Sequence, residues 1–331
     1  MRIIADSRPV LPVSARMTQL VRHFSSLFRV PRGGIVTIGN FDGVHSGHTA
    51  LLQAVVAKAH AGGRPAVAIT FEPLPATHFA GTEGGPPRLS GLRDRFSLMK
   101  ALGIDAVIVL PFADISDWSP EQFVRAILIE GLAAKEVMVG EDFCFGRKRA
   151  GNVELLGRYR DFSLTVFPAK KQGEERISST RIREALVKGD FAQAEACMGR
   201  PFAISGKVVQ GERRGRVLGF PTANILLPHL VPVSGVYAVW VRSEAFPEQE
   251  GVANVGVRPT VVPKSGKRRL LEVHLPHFSQ DIYGKRLEVI FCHKIRDEKR
   301  FADLSELKAQ IARDTETACD YFRENKYVRK N

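Results

Sequence analysis

The stretch Ile35-Val36-Thr37-Ile38-Gly39-Asn40-Phe41-Asp42-Gly43-Val44-His45-Ser46-Gly47-His48 constrains the fold more than any other. Its β-branched apolar start reads as a buried strand. Gly39 to Gly43 turns the chain tightly, and Ser46, or the turn before it, caps a helix expected from about Gly47 to His60. His45 and His48 thus stand where that helix begins. A helix N-terminus offers unpaired backbone N–H groups and a partial positive charge, so it binds phosphate. Gly47 allows close backbone approach, and two imidazoles there suit a polyphosphate. A β-turn-α unit with two surface histidines is the plainer alternative. The spacing His-x-Gly-His directly after Gly-Asn-Phe-Asp-Gly favours the phosphate site.

Strands and helices then alternate. Strands are expected at Ala66–Phe71, Ala106–Leu110, Glu136–Val139 and Leu164–Phe167, with helices between them, one opened by Ser90 and one by Ser119-Pro120-Glu121. This order predicts a parallel sheet with helices on both faces and ligands beyond the carboxyl ends of its strands. The loop Gly140 to Asn152 carries glycines, Phe143, Phe145 and the cations Arg147, Lys148 and Arg149, a composition suited to a flat ring beside a phosphate or to a basic surface loop. Ile177-Ser178-Ser179-Thr180-Arg181-Ile182-Arg183 opens another helix, which on its residues alone reads as an ordinary Ser-capped helix with exposed arginines, though its hydroxyls and guanidinium groups are also able to hold outer phosphates.

After the helical connector Asp190–Met198, Gly199-Arg200-Pro201 breaks the pattern. Short strands follow at Ala203–Val209, Val236–Val241, Gly251–Val255, Leu270–Leu275 and Leu287–Phe291, and a long helix closes the chain at Leu304–Arg323. Strands without intervening helices predict an antiparallel sheet or small barrel. The segment Gly211 to Asn224 is glycine-rich and can fold over phosphates, a flexible basic hairpin being the alternative, but no Gly-Lys-Ser/Thr ends it, so it is not a Walker loop. Thr222 and Asn224 point the same way on an extended chain and can share one Mg²⁺ with substrate phosphates. The boundaries predicted are 1–187, a connector 188–199, and 200–331.

At 331 residues there is room for two cores. The net charge of +13 suits phosphorylated substrates, nucleic acid or anionic lipid. The cations are dispersed and not interleaved with aromatics, which argues against nucleic acid. No apolar run reaches membrane-spanning length. Cys144, Cys197, Cys292 and Cys319 lack metal-ligand spacing and fit a reducing cytoplasm. Residues 1–32 are rich in Arg and Ser, a transit-peptide composition, but lack the apolar run of a secretory signal. A structured lead-in is expected, with a strand at Arg2–Ile4 and a helix at Thr18–Phe28.

Gly-x-Phe-Asp-x-x-His-x-Gly-His resembles the signature of the nucleotidyltransferase superfamily, and its longer form here resembles that of the bacterial bifunctional riboflavin kinase/FAD synthetase family. Gly-Arg-x-Leu-Gly-Phe-Pro-Thr-Ala-Asn, ending at Asn224, resembles the riboflavin kinase signature, and residues 251–260 and 271–275 resemble the family segments that follow. The resemblance implies an N-terminal α/β nucleotidyltransferase domain with a Rossmann-like parallel sheet, and a C-terminal antiparallel β-barrel kinase domain with a terminal helix. It implies phosphorylation of riboflavin by ATP to FMN, then adenylylation of FMN to FAD with release of pyrophosphate, with Mg²⁺ as cofactor.

In the adenylyltransferase it implies nucleotide contacts from Gly39, Asn40, Phe41, Asp42 and Gly47, and from Arg176, Ser178, Ser179, Thr180 and Arg181. His45 and His48 would stabilise charge on the reacting phosphates, while Asp142, Phe143, Phe145 and Gly146 would bind flavin. Many members carry Arg where this chain has Cys144. In the kinase it implies ATP contacts from Gly211, Gly215, Arg216, Gly219, Pro221, Thr222 and Asn224, with Glu272 as base for the flavin hydroxyl and Arg296 beside the flavin. Pro276 to Asp281 replaces a more acidic family stretch. The expected partners are riboflavin, FMN and ATP, with no nucleic acid or membrane, and the chain is expected as a monomer or weak oligomer. Two rivals stay open: an enzyme with one live activity, and a basic RNA- or lipid-binding protein reusing the scaffold.

Overall fold

Every residue of β2 (Ile35–Ile38) is buried because the strand lies inside a six-stranded sheet with neighbours on both edges. The computed structural model describes residues 17–22, 30–211, 219–257, 269–276 and 278–325, except the side chains of residues 82, 83 and 257. The expected strand at Arg2–Ile4 lies outside the described residues.

The sheet also contains β1 (Gln19–Val21), β3 (Ala66–Glu72), β4 (Ala106–Pro111), β5 (Glu136–Gly140) and β6 (Ser163–Phe167). All pairs are parallel, in the order β1-β4-β3-β2-β5-β6. The chain leaves β2 toward β3 and β4, then returns to β2's other edge with β5. That reversal is a topological switch point, where open parallel sheets bind ligands at their carboxyl ends. The helices α1 (Ser46–Ala61), α2 (Leu92–Ala101) and α3 (Pro120–Phe123) follow β2, β3 and β4. Ser119 and Gln122 form a reciprocal capping box on α3, which runs on as π-helix over Val124–Gly131.

One expectation fails here. Thr18 to Val21 is no helix: Gln19–Val21 adds a strand to the open edge of β4, with Gln19 N–H donating to the Asp105 carbonyl at 2.9 Å. Pairing with an available edge overrides a weak helical pattern.

Two hairpin-like strands, β7 (Lys171–Gln172) and β8 (Glu175–Arg176), precede α4 (Ser179–Lys188) and α5 (Phe191–Met198). Each of these helices stops at a left-handed glycine, Gly189 (φ 76°) and Gly199 (φ 74°). The barrel follows: β9 (Ala203–Val209), β10 (Thr222–Leu227), β11 (Gly235–Ser243), β12 (Phe246–Val257), β13 (Arg269–His274) and β14 (Arg286–Arg296). It closes antiparallel in the order β10-β13-β12-β11-β14-β9. Alternation sets its faces: Ala223, Ile225, Ala253, Val255, Leu271 and Val273 enter the core, so Thr222, Asn224, Asn254, Glu272 and His274 lie on the outer face. Helix α6 (Leu304–Glu324) covers another part of that face with Ala318 and Phe322 against Val236, Ala238 and Val252.

Cα proximity divides the chain into two units. The first contains the described residues up to Phe41, then Gly47–Pro75 and Arg95–Ala169. The second contains Asp42–Ser46, Ala76–Asp94 and the residues from Lys170 onward. The turn after β2 and the segment around residue 90 thus group with the barrel. No helix among the described residues is long and apolar enough to cross a membrane.

Two candidate active sites

The carboxyl end of β2 is held rigidly in the first unit. Gly39 N–H donates to the Ile69 carbonyl at 3.0 Å. The Asn40 carbonyl accepts from Thr70 Oγ1 (3.1 Å) and Arg95 Nη1 (2.9 Å). Arg95 is fully buried, and its other arm meets Glu72 Oε2 at 2.7 Å. Phe41 takes a left-handed conformation (φ 49°) that turns its ring inward. A Cβ on Gly39 would come within 3.1 Å of that ring, which explains the glycine. The ring meets His48 edge-on, with centroids 5.2 Å apart. Phe41 therefore orients His48 on the first turn of α1.

In the second unit, Asp42 is buried. Its carboxylate accepts from the backbone N–H groups of Leu89 (3.0 Å) and Ser90 (3.2 Å) and from Arg183 Nη2 (2.6 Å). That geometry makes Asp42 a residue that shapes the turn. Ser90 does not cap α2; its hydroxyl accepts from Gly43 N–H at 2.8 Å. Ser46 Oγ donates to the Cys197 carbonyl (2.8 Å), and Ser179 Oγ to the Asp42 carbonyl (3.1 Å). Arg200 donates to the carbonyls of Val44 (2.9 Å) and Gly43. The sequence reading gave no role to Arg200, set Ser90 as a helix cap and set Arg183 among phosphate-binding cations; the structure turns all three to holding this turn instead. A buried acid in a glycine turn is the signal that a cation must come from elsewhere.

His45 is buried, and its pKa falls from 6.5 to about 4, first through burial and then through the charges of Arg176 and Arg200. It is therefore neutral at neutral pH and offers a hydrogen bond rather than a charge. The unfolded chain binds this proton near pH 6.5 and the folded one only near 4. Stability is then fully present above the unfolded pKa and lost as pH falls, by about 3 kcal/mol over that window. Denaturant midpoints at pH 7 and 4.5 should drop less in His45→Gln than in the parent.

Of the second motif, Ser178 caps α4 by accepting from Arg181 N–H (3.2 Å), Thr180 and Arg176 are exposed, and Arg181 pairs with Glu175 at 3.0 Å. In the first unit, the loop after β5 is pinned by reciprocal backbone bonds between Phe145 and Gly151. Phe145 is buried in the sheet's core, with Phe143 stacked on it at 5.5 Å. Phe145 thus supports the loop from below, while Asp142 is exposed and Gly146 (φ 71°) packs against Pro120. Cys144 is half-buried, its thiol 3.6 Å from the Asp142 carbonyl.

On the barrel, register places Asn224, Glu272 and Asn254 opposite one another across β10, β13 and β12. Thr222 pairs with His274 in the adjacent row. Asn224 is buried; its Nδ2 donates to the Thr222 carbonyl (3.3 Å), while its Oδ1 has no partner among the described residues. A Cβ on Gly211 would lie 2.5 Å from the Asn224 amide, so only glycine lets the chain pass there. Gly219 is left-handed (φ 87°), and the Pro221 carbonyl lies 2.9 Å from His274 Nδ1. Gly215 and Arg216 fall outside the described residues.

A small cavity of about 80 Å³ is lined by Pro221, Thr222, Gln280, Asp281 and Tyr283, among others, so the altered 276–281 segment borders this site. Arg296 is held bidentately by Asp314 of α6 (2.7 and 3.0 Å) and donates to the Asp297 carbonyl, so its donors are used within the protein. Asn254, and Glu298, whose carboxylate lies over Gly256, are residues to which the sequence reading gave no role.

A parallel sheet with a phosphate-type turn at its switch point, and a closed six-stranded barrel with a polar outer row, define a chain with a nucleotidyltransferase-type module and a kinase-type module. Comparison with known proteins agrees. Residues 28–181 match the FAD synthetase family model and residues 198–322 the riboflavin kinase model. The bifunctional riboflavin kinase/FMN adenylyltransferase of Escherichia coli is 43% identical over 92% of this chain and 98% of its own. That of Haemophilus influenzae is 42% identical over 92% and 99%. A crystal structure of a Streptococcus pneumoniae protein described as a macrolide-efflux protein superposes with TM-score 0.73 at 29% identity, covering 91% of this chain and 98% of that one. The chain belongs to the bifunctional riboflavin kinase/FMN adenylyltransferase family.

Proposed function

We propose that the two activities of this bifunctional enzyme divide along the chain, with residues 1–187 acting as the FMN adenylyltransferase, 188–199 as a connector and 200–331 as the riboflavin kinase. The observation that carries the kinase reading is the row Asn224–Glu272–Asn254 with the unpartnered Asn224 Oδ1. Glu272 orients and deprotonates the riboflavin 5′-hydroxyl, which attacks the γ-phosphate of ATP to give FMN and ADP. A buried neutral oxygen without a partner, two residues from a hydroxyl on the same face, fits Mg²⁺, a hard cation that keeps waters and substrate phosphates as its other ligands. Thr222 and Asn224 would hold it, and it would neutralise charge between the outer phosphates.

In the second reaction the FMN phosphate attacks the α-phosphate of a second ATP, and pyrophosphate leaves. No covalent enzyme intermediate is needed. His48 donates toward the departing pyrophosphate, neutral His45 adds a hydrogen bond, and Arg176 and Arg181 supply charge. Catalysis is positioning and preorganised electrostatics. The partners are small molecules, without nucleic acid or membrane, and the chain is a monomer or weak oligomer. All four cysteines are free, which suits a reducing cytoplasm.

The test is an assay of purified protein with riboflavin and Mg-ATP, separating products by chromatography. FMN followed by FAD is expected; salt-sensitive RNA binding without flavin turnover would sink the reading. A fragment of residues 200–331 should make FMN but no FAD. A fragment folded by circular dichroism that makes no FMN would overturn the division.

A further inference from the structure

A second and larger cavity, of about 370 Å³, lies in the barrel unit, and none of Asn224, Asn254 and Glu272 lines it. Arg88 and Arg93 line it from the segment before and into α2, Lys207 from β9, Arg286 from β14, and His229 from the loop after β10. The register sets Lys207 directly opposite Arg286 on neighbouring strands. Like charges directly opposite each other on a sheet are destabilising. No salt bridge to a described carboxylate relieves either one. Among the described residues the cavity's carboxylate is Asp94, which is hydrogen-bonded to Ser205 and feels the charges of Arg286 and Arg93. Burial pushes the Asp94 carboxyl up, against the Ser205 hydrogen bond and the charges of Arg286 and Arg93. The space lies in the range of small-molecule sites.

We infer that this cavity is an anion site for a phosphorylated small molecule of mononucleotide size, its phosphate held between Lys207 and Arg286 on the barrel and Arg93 on the facing segment. An anion there removes the repulsion of the in-register pair and makes charge-assisted hydrogen bonds to the guanidinium groups. None of these charged residues belongs to either candidate active site, although Leu89 and Ser90, which hold the Asp42 turn, also line the cavity.

The test is calorimetric titration of the full-length protein with inorganic phosphate, AMP and FMN in separate arms. The parent is compared with the Lys207→Gln/Arg286→Gln double variant, whose changes fall on an exposed and a half-buried strand position and remove a repulsion. The parent should bind one equivalent more than the variant, or the same class of site about tenfold tighter, a difference of about 1.4 kcal/mol. Riboflavin phosphorylation and FMN adenylylation at saturating substrate should be unchanged. A difference in all three arms identifies the free phosphate group as sufficient; a difference confined to AMP or FMN identifies the mononucleotide. Asp94→Asn, which removes the competing carboxylate, should tighten binding. Identical stoichiometry and affinity of parent and double variant in every arm, or weaker binding in Asp94→Asn, overturns the proposal.

Discussion

Glu272→Gln is expected to lower FMN formation from riboflavin by about 10²–10⁴-fold, the usual worth of general-base assistance. The substitution keeps side-chain size and an acceptor but removes the charge and the base. Leu271 and Val273 on either side enter the barrel core, so the backbone of β13 is fixed and Glu272 must face outward. Its cross-strand neighbours are Asn224 and Asn254, one of them carrying the unpartnered oxygen assigned to the metal. The measurement is a pair of reactions, one started from riboflavin and one from FMN. Started from FMN, the variant should make FAD at the parent rate. Near-normal phosphorylation from riboflavin would return Glu272 to an ordinary residue of a solvated strand face.

His48→Ala should produce the opposite partition. FMN should accumulate while FAD formation falls by about 10²-fold or more, as when one preorganised donor is lost. The ring sits on the first turn of α1, edge-on to Phe41, and Phe41 is wedged by its own left-handed backbone against Gly39. Truncation leaves that wedge in place, so the loss should fall on chemistry rather than folding. If riboflavin phosphorylation fell equally, the variant would be misfolded and the assignment of His48 would lose its support.

The elements legible in the sequence are those fixed by local chemistry. Ile35–Ile38 followed by a glycine turn announces β2, and Ser119-Pro120 announces its capping box. The alternation of Ala223 and Ile225 with Thr222 and Asn224 announces which face of β10 carries the site. What is not legible depends on closure over long separations. Nothing near Asp42 indicates that its carboxylate is taken by Arg183 and by the N–H groups of Leu89 and Ser90. Phe143 and Phe145 look alike in a loop, yet Phe145 is core and Phe143 rests on it. The expected helix at Thr18–Phe28 loses its start to an edge strand that only the three-dimensional sheet makes available.

The clamp on residues 42–46 has a consequence for how the enzyme is made. Leu89 and Ser90 hold part of it, and its other holders, Ser179, Arg183, Cys197 and Arg200, lie far downstream of the turn they fix. During synthesis the strand and first helix emerge from the ribosome long before these groups exist. The nascent chain therefore carries the His-x-Gly-His segment without its complete clamp until the residues up to Arg200 have been translated. A polypeptide released before that point would own every histidine and glycine of the phosphate turn and yet lack the means to set its shape.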